Sequence, residues 1–287
     1  MRLLLAVSAL EDWEIEAIDV KTAFLYGNLD EELYMEQPEG FIIKGQENKV
    51  YRLKKALYGL KQASIAWNKE ADKSLKKLGF KRCLSDGGLY TLNKNNSTIV
   101  VILYVDDVLF MGNSKTLIME KKNAFMKMWE CRDLGPISEY LHMKIVRDRI
   151  QKKLIIDQIN YAKKVVERFG QQNAKPTYTP LPVGYQPKAN EGVAKPEQRS
   201  YYQSIIGSLL FLALGTQPDI VHAAIMMSVT SRTHLRLHSD LNPFQKTLVL
   251  HSSLHSMYFQ TNLRPEHFPD FLVQWHTLSL LFLHFTI

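Results

Sequence analysis

Residues 98–111 read TIVVILYVDDVLFM, two apolar runs that flank the adjacent acids Asp106 and Asp107. β-Branched and aromatic residues dominate both runs, and such runs favour strands. The stretch therefore predicts a β-hairpin with the two aspartates at its tip. A charge buried without a partner is costly, so the pair is either exposed at a tight turn or neutralised by a bound divalent cation.

A second candidate strand also ends at an aspartate. Residues 14–20 (EIEAIDV) alternate polar and apolar, as a half-buried strand does, and Asp19 lies near the end. If this strand and the hairpin are neighbours in one sheet, Asp19, Asp106 and Asp107 meet at one edge. Three carboxylates supply the hard oxygen ligands with which proteins bind two Mg²⁺ ions for phosphoryl transfer.

The charge distribution indicates a surface for a polyanion. Residues 52–82 hold ten Lys or Arg and two acids, a net charge of +8, whereas residues 1–50 hold four Lys or Arg and eleven acids. A strongly basic strip of this kind suits the phosphates of a nucleic acid, which Lys and Arg neutralise without reading the bases.

The basic strip contains a predicted amphipathic helix. Residues 61–78 repeat apolar side chains at helical spacing, and Gly79 is placed to end the helix. The opposite face carries four lysines, Lys69, Lys73, Lys76 and Lys77. That face either contacts nucleic acid or is an ordinary solvated helix surface.

The same periodicities predict the other elements. We expect helices at 115–130 and 157–169, strands at 140–146 and 153–156, a linker at 170–200, and a helical block at 201–228 that Pro218 interrupts. Residues 231–287 have half the charge density of the preceding chain and no stable period. We expect a divergent tail there, which is either out-of-frame sequence or an unrelated appendage.

Composition excludes several classes of protein. The chain has 287 residues, of which 46% are apolar and 23% charged, as in globular proteins. Two cysteines, Cys83 and Cys131, do not form a disulfide framework or a zinc site, and they fit a reducing compartment. No apolar run approaches the roughly 18 residues of a membrane span, so a membrane partner is not expected.

Four ordered motifs resemble the reverse transcriptases of copia-type LTR retrotransposons. The first, DVKTAFLYGNL at 19–29, precedes LYM at 33–35 and QPEGF at 37–41, and the second is LYGLKQAS at 57–64 with Trp67. The third is YVDD at 104–107, and the fourth is the block from Tyr202 through IGSL at 206–209 to PDI at 218–220. The resemblance covers about residues 2–230.

This resemblance implies roles for particular residues. Asp19, Asp106 and Asp107 would be catalytic and would bind two Mg²⁺ ions, with Mn²⁺ as an alternative. Phe24, Tyr58 and Gly59 would bind the deoxynucleoside triphosphate, and Phe24 would crowd the sugar 2′ position unless it is an ordinary core residue. The RNA template and DNA primer would contact six residues of the basic strip, Lys61, Gln62, Ser64, Lys69, Lys73 and Lys76.

The resemblance also implies the fold. We expect an α+β polymerase palm, an antiparallel sheet backed by helices, with partial fingers in residues 1–156 and a thumb or connection segment in 157–230. Family members begin upstream with finger strands, so a truncated reverse transcriptase from a Pol polyprotein is expected. The alternative is a catalytically silent remnant that at most binds nucleic acid. The family implies a cytoplasmic location, in a virus-like particle of an intact element, with the nucleus as the other option.

Overall fold

The computed structural model describes residues 1–174, 179–181, 184–185, 195–230 and, for the backbone, 257–259. The chain divides into two compact units, and the described residues of the first run from Met1 to Ile137 while those of the second lie within Ser138–Gln260. In the described ranges, no helix is long and apolar enough to cross a membrane. The predicted tail lies outside the described residues except at 257–259.

A six-stranded antiparallel sheet forms the centre of the first unit. The strand order is β4-β5-β6-β7-β1-β8. The predicted strand at 14–20 and the predicted hairpin at 98–111 are both confirmed. The six strands are β1 (Glu14–Val20), β4 (Lys81–Arg82), β5 (Leu89–Lys94), β6 (Ser97–Tyr104), β7 (Asp107–Gly112) and β8 (Cys131–Pro136).

Two helices cover one face of this sheet. Helices α2 (Ala63–Lys77) and α3 (Lys115–Met126) confirm the two helices predicted there, although α3 ends at residue 126 and not at 130. Gly79 follows α2 with a φ of +94°. Their apolar residues, such as Trp67 and Phe125, share one buried cluster with Val20 and Phe110 of the sheet. An additional N-terminal helix, α1 (Arg2–Leu10), was not predicted and buries Leu5 and Ala9.

A two-stranded ribbon leaves the end of β1 after a short 3₁₀ turn, Ala23–Tyr26. Its strands are β2 (Asn28–Met35) and β3 (Tyr51–Lys55). The ribbon approaches α2 closely at Gly27, where an added Cβ would lie 2.7 Å from the Cβ of Ala66. Only glycine fits this approach, so the position is determined by packing against the helix.

The described residues of the second unit form a smaller sheet and three α-helices. Its strands are β9 (Glu139–Tyr140), β10 (Met143–Asp148), β11 (Lys153–Asp157) and β12 (Met257–Phe259), and its helices are α4 (Ile159–Arg168), α5 (Pro196–Gly215) and α6 (Val221–Thr230). Residues of all three helices, including Val165, Leu209 and Ala224, share one core.

Two boundaries in this unit differ from the prediction. The single strand expected at 140–146 is divided, because Leu141 and His142 both have positive φ and form a tight turn. Helix α5 begins at Pro196, inside the segment predicted as linker, because proline is favourable in the first turn of a helix.

Candidate active site

Four side chains form a row at one end of four adjacent strands of the six-stranded sheet, β6, β7, β1 and β8. Tyr104 of β6 is opposite Asp107 of β7. Asp107 is in turn opposite Asp19 of β1, and Asp19 is opposite Arg132 of β8. Directly opposed residues in antiparallel strands share a face, with Cβ atoms about 5 Å apart. We call these four residues the acidic row.

The acidic row faces away from α2 and α3. Ile18, Val20 and Val108 are the sequence neighbours of the two aspartates, and all three belong to the core that these helices cover. Successive side chains in a strand alternate between faces, so Asp19 and Asp107 lie on the opposite face. The carboxylates are therefore partly accessible at the end of the strands, where a substrate can reach them.

The hairpin tip places Asp106 beside the end of β1. The backbone N–H of Val20 donates to the carbonyl of Asp106 at 2.8 Å. The indole N–H of Trp67 donates to the carbonyl of Val105, which has a φ of +55°. A β-branched residue rarely adopts this conformation, and contacts on both sides hold it here. The structure thus brings all three predicted aspartates to one edge.

Two aromatic rings lie next to the aspartates. The ring centroids of Phe24 and Tyr58 are 4.8 Å apart, and Tyr58 is 55% exposed. Partial burial and the negative charges of Asp106 and Asp19 raise the pKa of the Tyr58 hydroxyl above its usual value. Gly59, with a φ of +94°, turns the chain directly after Tyr58. Of the three residues predicted to bind nucleotide, Tyr58 therefore lies within the field of the acids, and Phe24 and Gly59 adjoin Tyr58.

Arg132 is the one cation in the acidic row. Its Nη2 lies 3.7 Å from Oδ2 of Asp19, and the side chain is 68% exposed. At that distance the pair is electrostatic and leaves guanidinium donors for another anion. The neighbouring Cys131 lies close enough to register the same charges, since burial, Asp19 and Glu130 raise the pKa of its thiol to about 11.

The carboxylates of this site suit Mg²⁺ better than a metal that takes all of its ligands from protein side chains. Among the described residues, no three His, Cys, Asp or Glu side chains are grouped so as to hold a metal ion by themselves. Mg²⁺ usually binds one or two carboxylates and completes its coordination with water and substrate phosphates. Opposed aspartates at an accessible strand end match that pattern.

The predicted nucleic-acid residues lie on α2 and just before it. Lys61 and Ser64 are exposed, and Gln62 donates a hydrogen bond to Glu31. The three helical lysines pair with acids: Lys69 with Asp30, Lys73 with Glu70 and Lys76 with Asp72. The lysine ends of all three pairs are exposed, although Glu70 and Asp72 are partly buried, so a polyanion can compete for the lysines.

The sequence did not identify Arg132 or Tyr104 as members of the site. The signal for Arg132 is weak because β8 (CRDLGP) lacks an alternating pattern and contains an extra residue. Tyr104 belongs to the YVDD motif, and its register opposite Asp107 follows from the tight turn of the hairpin.

The residues that form this geometry match a known protein family. Residues 1–183 match the family model described as reverse transcriptase (RNA-dependent DNA polymerase). The chain belongs to this reverse transcriptase family. The match includes the ribbon, the six-stranded sheet, α2, α3 and the whole acidic row.

Several relatives of this reverse transcriptase chain are transposon proteins. It is 41% identical to a retrovirus-related Pol polyprotein from transposon TNT 1-94 of Nicotiana tabacum, and 34% identical to one from transposon RE2 of Arabidopsis thaliana, each over 79% of the chain. The chain spans 18% and 15% of those two proteins. It is 31% identical to a putative transposon Ty5-1 protein of Saccharomyces cerevisiae, covering 78% of this chain and 72% of that protein. The resemblance to copia-type retrotransposon reverse transcriptases is confirmed.

Proposed function

We propose that this reverse transcriptase chain carries the catalytic aspartates of an RNA-directed DNA polymerase from a retrotransposon. The reaction is attack of a primer 3′-hydroxyl on the α-phosphate of a deoxynucleoside triphosphate, with release of pyrophosphate. The observation that supports it best is the pairing of Asp19 with Asp107 at an accessible strand end, with Asp106 held beside them.

In this proposal the three aspartates hold Mg²⁺. When bound, the metal ions activate the attacking hydroxyl and stabilise charge on the leaving oxygen. The chain supplies fixed geometry, because β7 pairs with β6 on one side and with β1 on the other as far as the tip. The contacts of Val20 and Trp67 also restrain the turn. Rigid carboxylates reduce the reorganisation that the reaction would otherwise require.

The rings beside the aspartates bind the incoming nucleotide. Tyr58 and Phe24 pack against each other and offer an exposed aromatic surface next to the acids. In that position Phe24 crowds the sugar 2′ position and favours deoxynucleotides, while Gly59 lets the backbone approach without a side chain. Arg132 extends the same row and is placed to contact a phosphate.

The subdomains follow from this assignment. The six-stranded sheet with α2 and α3 is the palm, the ribbon of β2 and β3 is part of the fingers, and α4, α5 and α6 form a thumb or connection segment. The lysines of α2, with Lys61, Gln62 and Ser64, contact the backbone of the RNA template and DNA primer.

Primer extension tests the proposal. The chain is incubated with an RNA template, a labelled DNA primer, one deoxynucleoside triphosphate and Mg²⁺, alongside Asp106→Asn and the exposed surface variant Glu120→Gln. Asp106→Asn keeps the size of the side chain but removes a negative ligand, so we expect roughly a thousandfold loss, about 4 kcal/mol of transition-state stabilisation. Glu120→Gln should retain the parent rate.

The alternative is a catalytically silent remnant that binds nucleic acid. A chain that retains an RNA–DNA hybrid on a filter but adds no nucleotide in Mg²⁺ or Mn²⁺ would support that alternative. Extension by Asp106→Asn at the parent rate would contradict the assignment of the aspartates.

A further inference from the structure

Lys122 is fully buried and has no role in the proposed chemistry. Its ammonium donates to Oε2 of Glu16 on β1 and lies 2.6 Å from both that oxygen and Oδ1 of Asp133 on β8; the lysine side chain is 1% exposed. A buried lysine is tolerated only where carboxylates compensate it. Lys122 therefore links helix α3 to both strands of the β1–β8 pair.

That strand pairing contains a bulge next to the acidic row. Toward the site, Ile18 is opposite Asp133 and Asp19 is opposite Arg132, whereas further along Ala17 is opposite Gly135. Leu134 is the extra residue. Gly135 has a φ of +68°, and its N–H donates to Oδ1 of Asp133, so the bulge is ordered by the same aspartate that binds Lys122.

Apolar burial alone does not select the observed register of β8. A one-residue slip that removes the bulge would continue the Ala17–Gly135 register, with Leu134 opposite Ile18, which faces the core, and Asp133 opposite Asp19. Leu134 is now 41% exposed and would gain burial. The same slip would turn the charged Arg132 toward the core, and this cost opposes the gain from burying Leu134.

We propose that Lys122 is a positioning residue that fixes this register and thereby keeps Arg132, rather than Asp133, opposite Asp19. The register itself does not depend on the proposed function, and only its effect on primer extension rests on that function. Replacing Arg132 by Asp133 in the acidic row makes the local charge more negative by two units, which strengthens binding of a divalent cation. The replacement also removes a guanidinium that can donate hydrogen bonds to a phosphate. Loss of Lys122 thus raises affinity for Mn²⁺ while lowering the rate of extension, whereas simple loss of stability lowers both.

Disulfide trapping reads the register without any activity. In a Cys83→Ser background, native Cys131 is opposite position 20 in the observed register and opposite position 21 after the slip. Val20→Cys should therefore cross-link with Cys131 under mild oxidation, and Lys21→Cys should not, by a ratio of at least ten. Introducing Lys122→Met should shift cross-linking toward the Lys21→Cys variant.

Three further variants keep the test decisive. Glu16→Gln with Lys122→Met leaves no deeply buried carboxylate around position 122, because the Asp133 side chain is 43% exposed. Asp133→Asn removes the β8 contact at that partly exposed position and should give the same shift to a smaller extent. Leu134→Ser removes the apolar gain of the slip and should restore the observed cross-link in the Glu16→Gln/Lys122→Met chain.

Mn²⁺ affinity and primer extension complete the experiment. We expect at least threefold tighter Mn²⁺ binding and at least tenfold slower extension in Glu16→Gln/Lys122→Met. An unchanged cross-linking pattern and Mn²⁺ affinity in that variant and in Asp133→Asn would overturn the positioning role. A shifted pattern in a chain whose parent extends no primer would leave the positioning role standing and contradict the proposed function instead.

Discussion

Gly59 and Gly207 have equally open surroundings but different backbone conformations. An added Cβ meets no atom within 4 Å at either position, and only Gly59, beside Tyr58, has a positive φ. A side chain at Gly59 is therefore strained by the backbone alone, whereas Gly207 lies within helix α5. The turn that presents Tyr58 depends on glycine for its conformation and not for space.

Two alanine substitutions test this difference. We expect Gly59→Ala to lower the free energy of unfolding by about 1–2 kcal/mol, because an L-residue is disfavoured at positive φ. Gly207→Ala should raise it by about 0.5–1 kcal/mol, since alanine is the better helix residue. Urea unfolding followed by circular dichroism measures both. Equal effects at the two positions would show that backbone conformation does not distinguish them.

The two cysteines differ in their electrostatic surroundings, and only Cys131 is influenced by an aspartate of the site. A hydrogen bond with Ser85 lowers the pKa of Cys83, whereas burial, Asp19 and Glu130 raise that of Cys131 to about 11. The thiolate is the reactive form, and at pH 8 it is about one in a thousand for a thiol with that pKa. We expect iodoacetamide to modify Cys83 at least tenfold faster, as measured by mass spectrometry of the digested protein.

The same reaction detects the charge of Asp19. Asp19→Asn removes one source of the raised pKa, so a larger fraction of Cys131 is thiolate at a given pH and its alkylation should accelerate. Cys83 is the internal control and should keep its rate. A Cys131 rate that does not respond to Asp19→Asn would contradict the proximity of the two side chains.

At the level of elements, helix α2 and the acids around it form one electrostatic unit. Lys69 pairs with Asp30 of β2, and Gln62 donates to Glu31 of the same strand. Arg52 of β3 also pairs with Glu32. Acids of the first 50 residues therefore neutralise part of the positive charge of the basic strip. Nucleic acid binding to α2 must compete with these exposed pairs.

Salt dependence tests the role of α2. Changing Lys69, Lys73 and Lys76 to Gln should weaken binding of an RNA–DNA hybrid and reduce the slope of log affinity against log salt by up to about 3, because each phosphate contact contributes roughly one unit. The matched control changes three exposed lysines elsewhere in the first unit, Lys94, Lys115 and Lys127. Similar losses in both triple variants would indicate a general effect of net charge, and no loss in either would leave α2 a solvated surface.

Elements with a buried stripe or alternation could be predicted from the sequence, and exposed ones could not. Helix α2 and the hairpin of β6 and β7 have strong periodicity because each has one face in the core. The ribbon strand β2 is mostly exposed and carries three successive acids, so it has no alternation to detect. In β8 the extra residue Leu134 interrupts the alternation, and Arg132 was missed for that reason.

At the scale of the whole molecule, the acidic row depends on pairing between distant segments. β1 lies between β7 and β8 in the sheet, although it precedes both by most of the first unit. The hairpin sequence alone determines where Asp106 and Asp107 lie, but the position of Asp19 beside them depends on this non-local pairing. Sequence reasoning reached it only by assuming that the strand and the hairpin are neighbours, and the register Asp19–Asp107 now confirms that assumption.

A double-mutant cycle at this pair tests the central claim most directly. The rate of single-nucleotide addition is measured for the parent chain, Asp19→Asn, Asp107→Asn and the double variant. When carboxylates act together on the same metal ions, the effects of substituting them on the activation free energy are strongly non-additive. We predict that each single change costs about 4 kcal/mol, roughly a thousandfold in rate, and that the double change costs little more. Fully additive losses, or a single variant at the parent rate, would contradict the account.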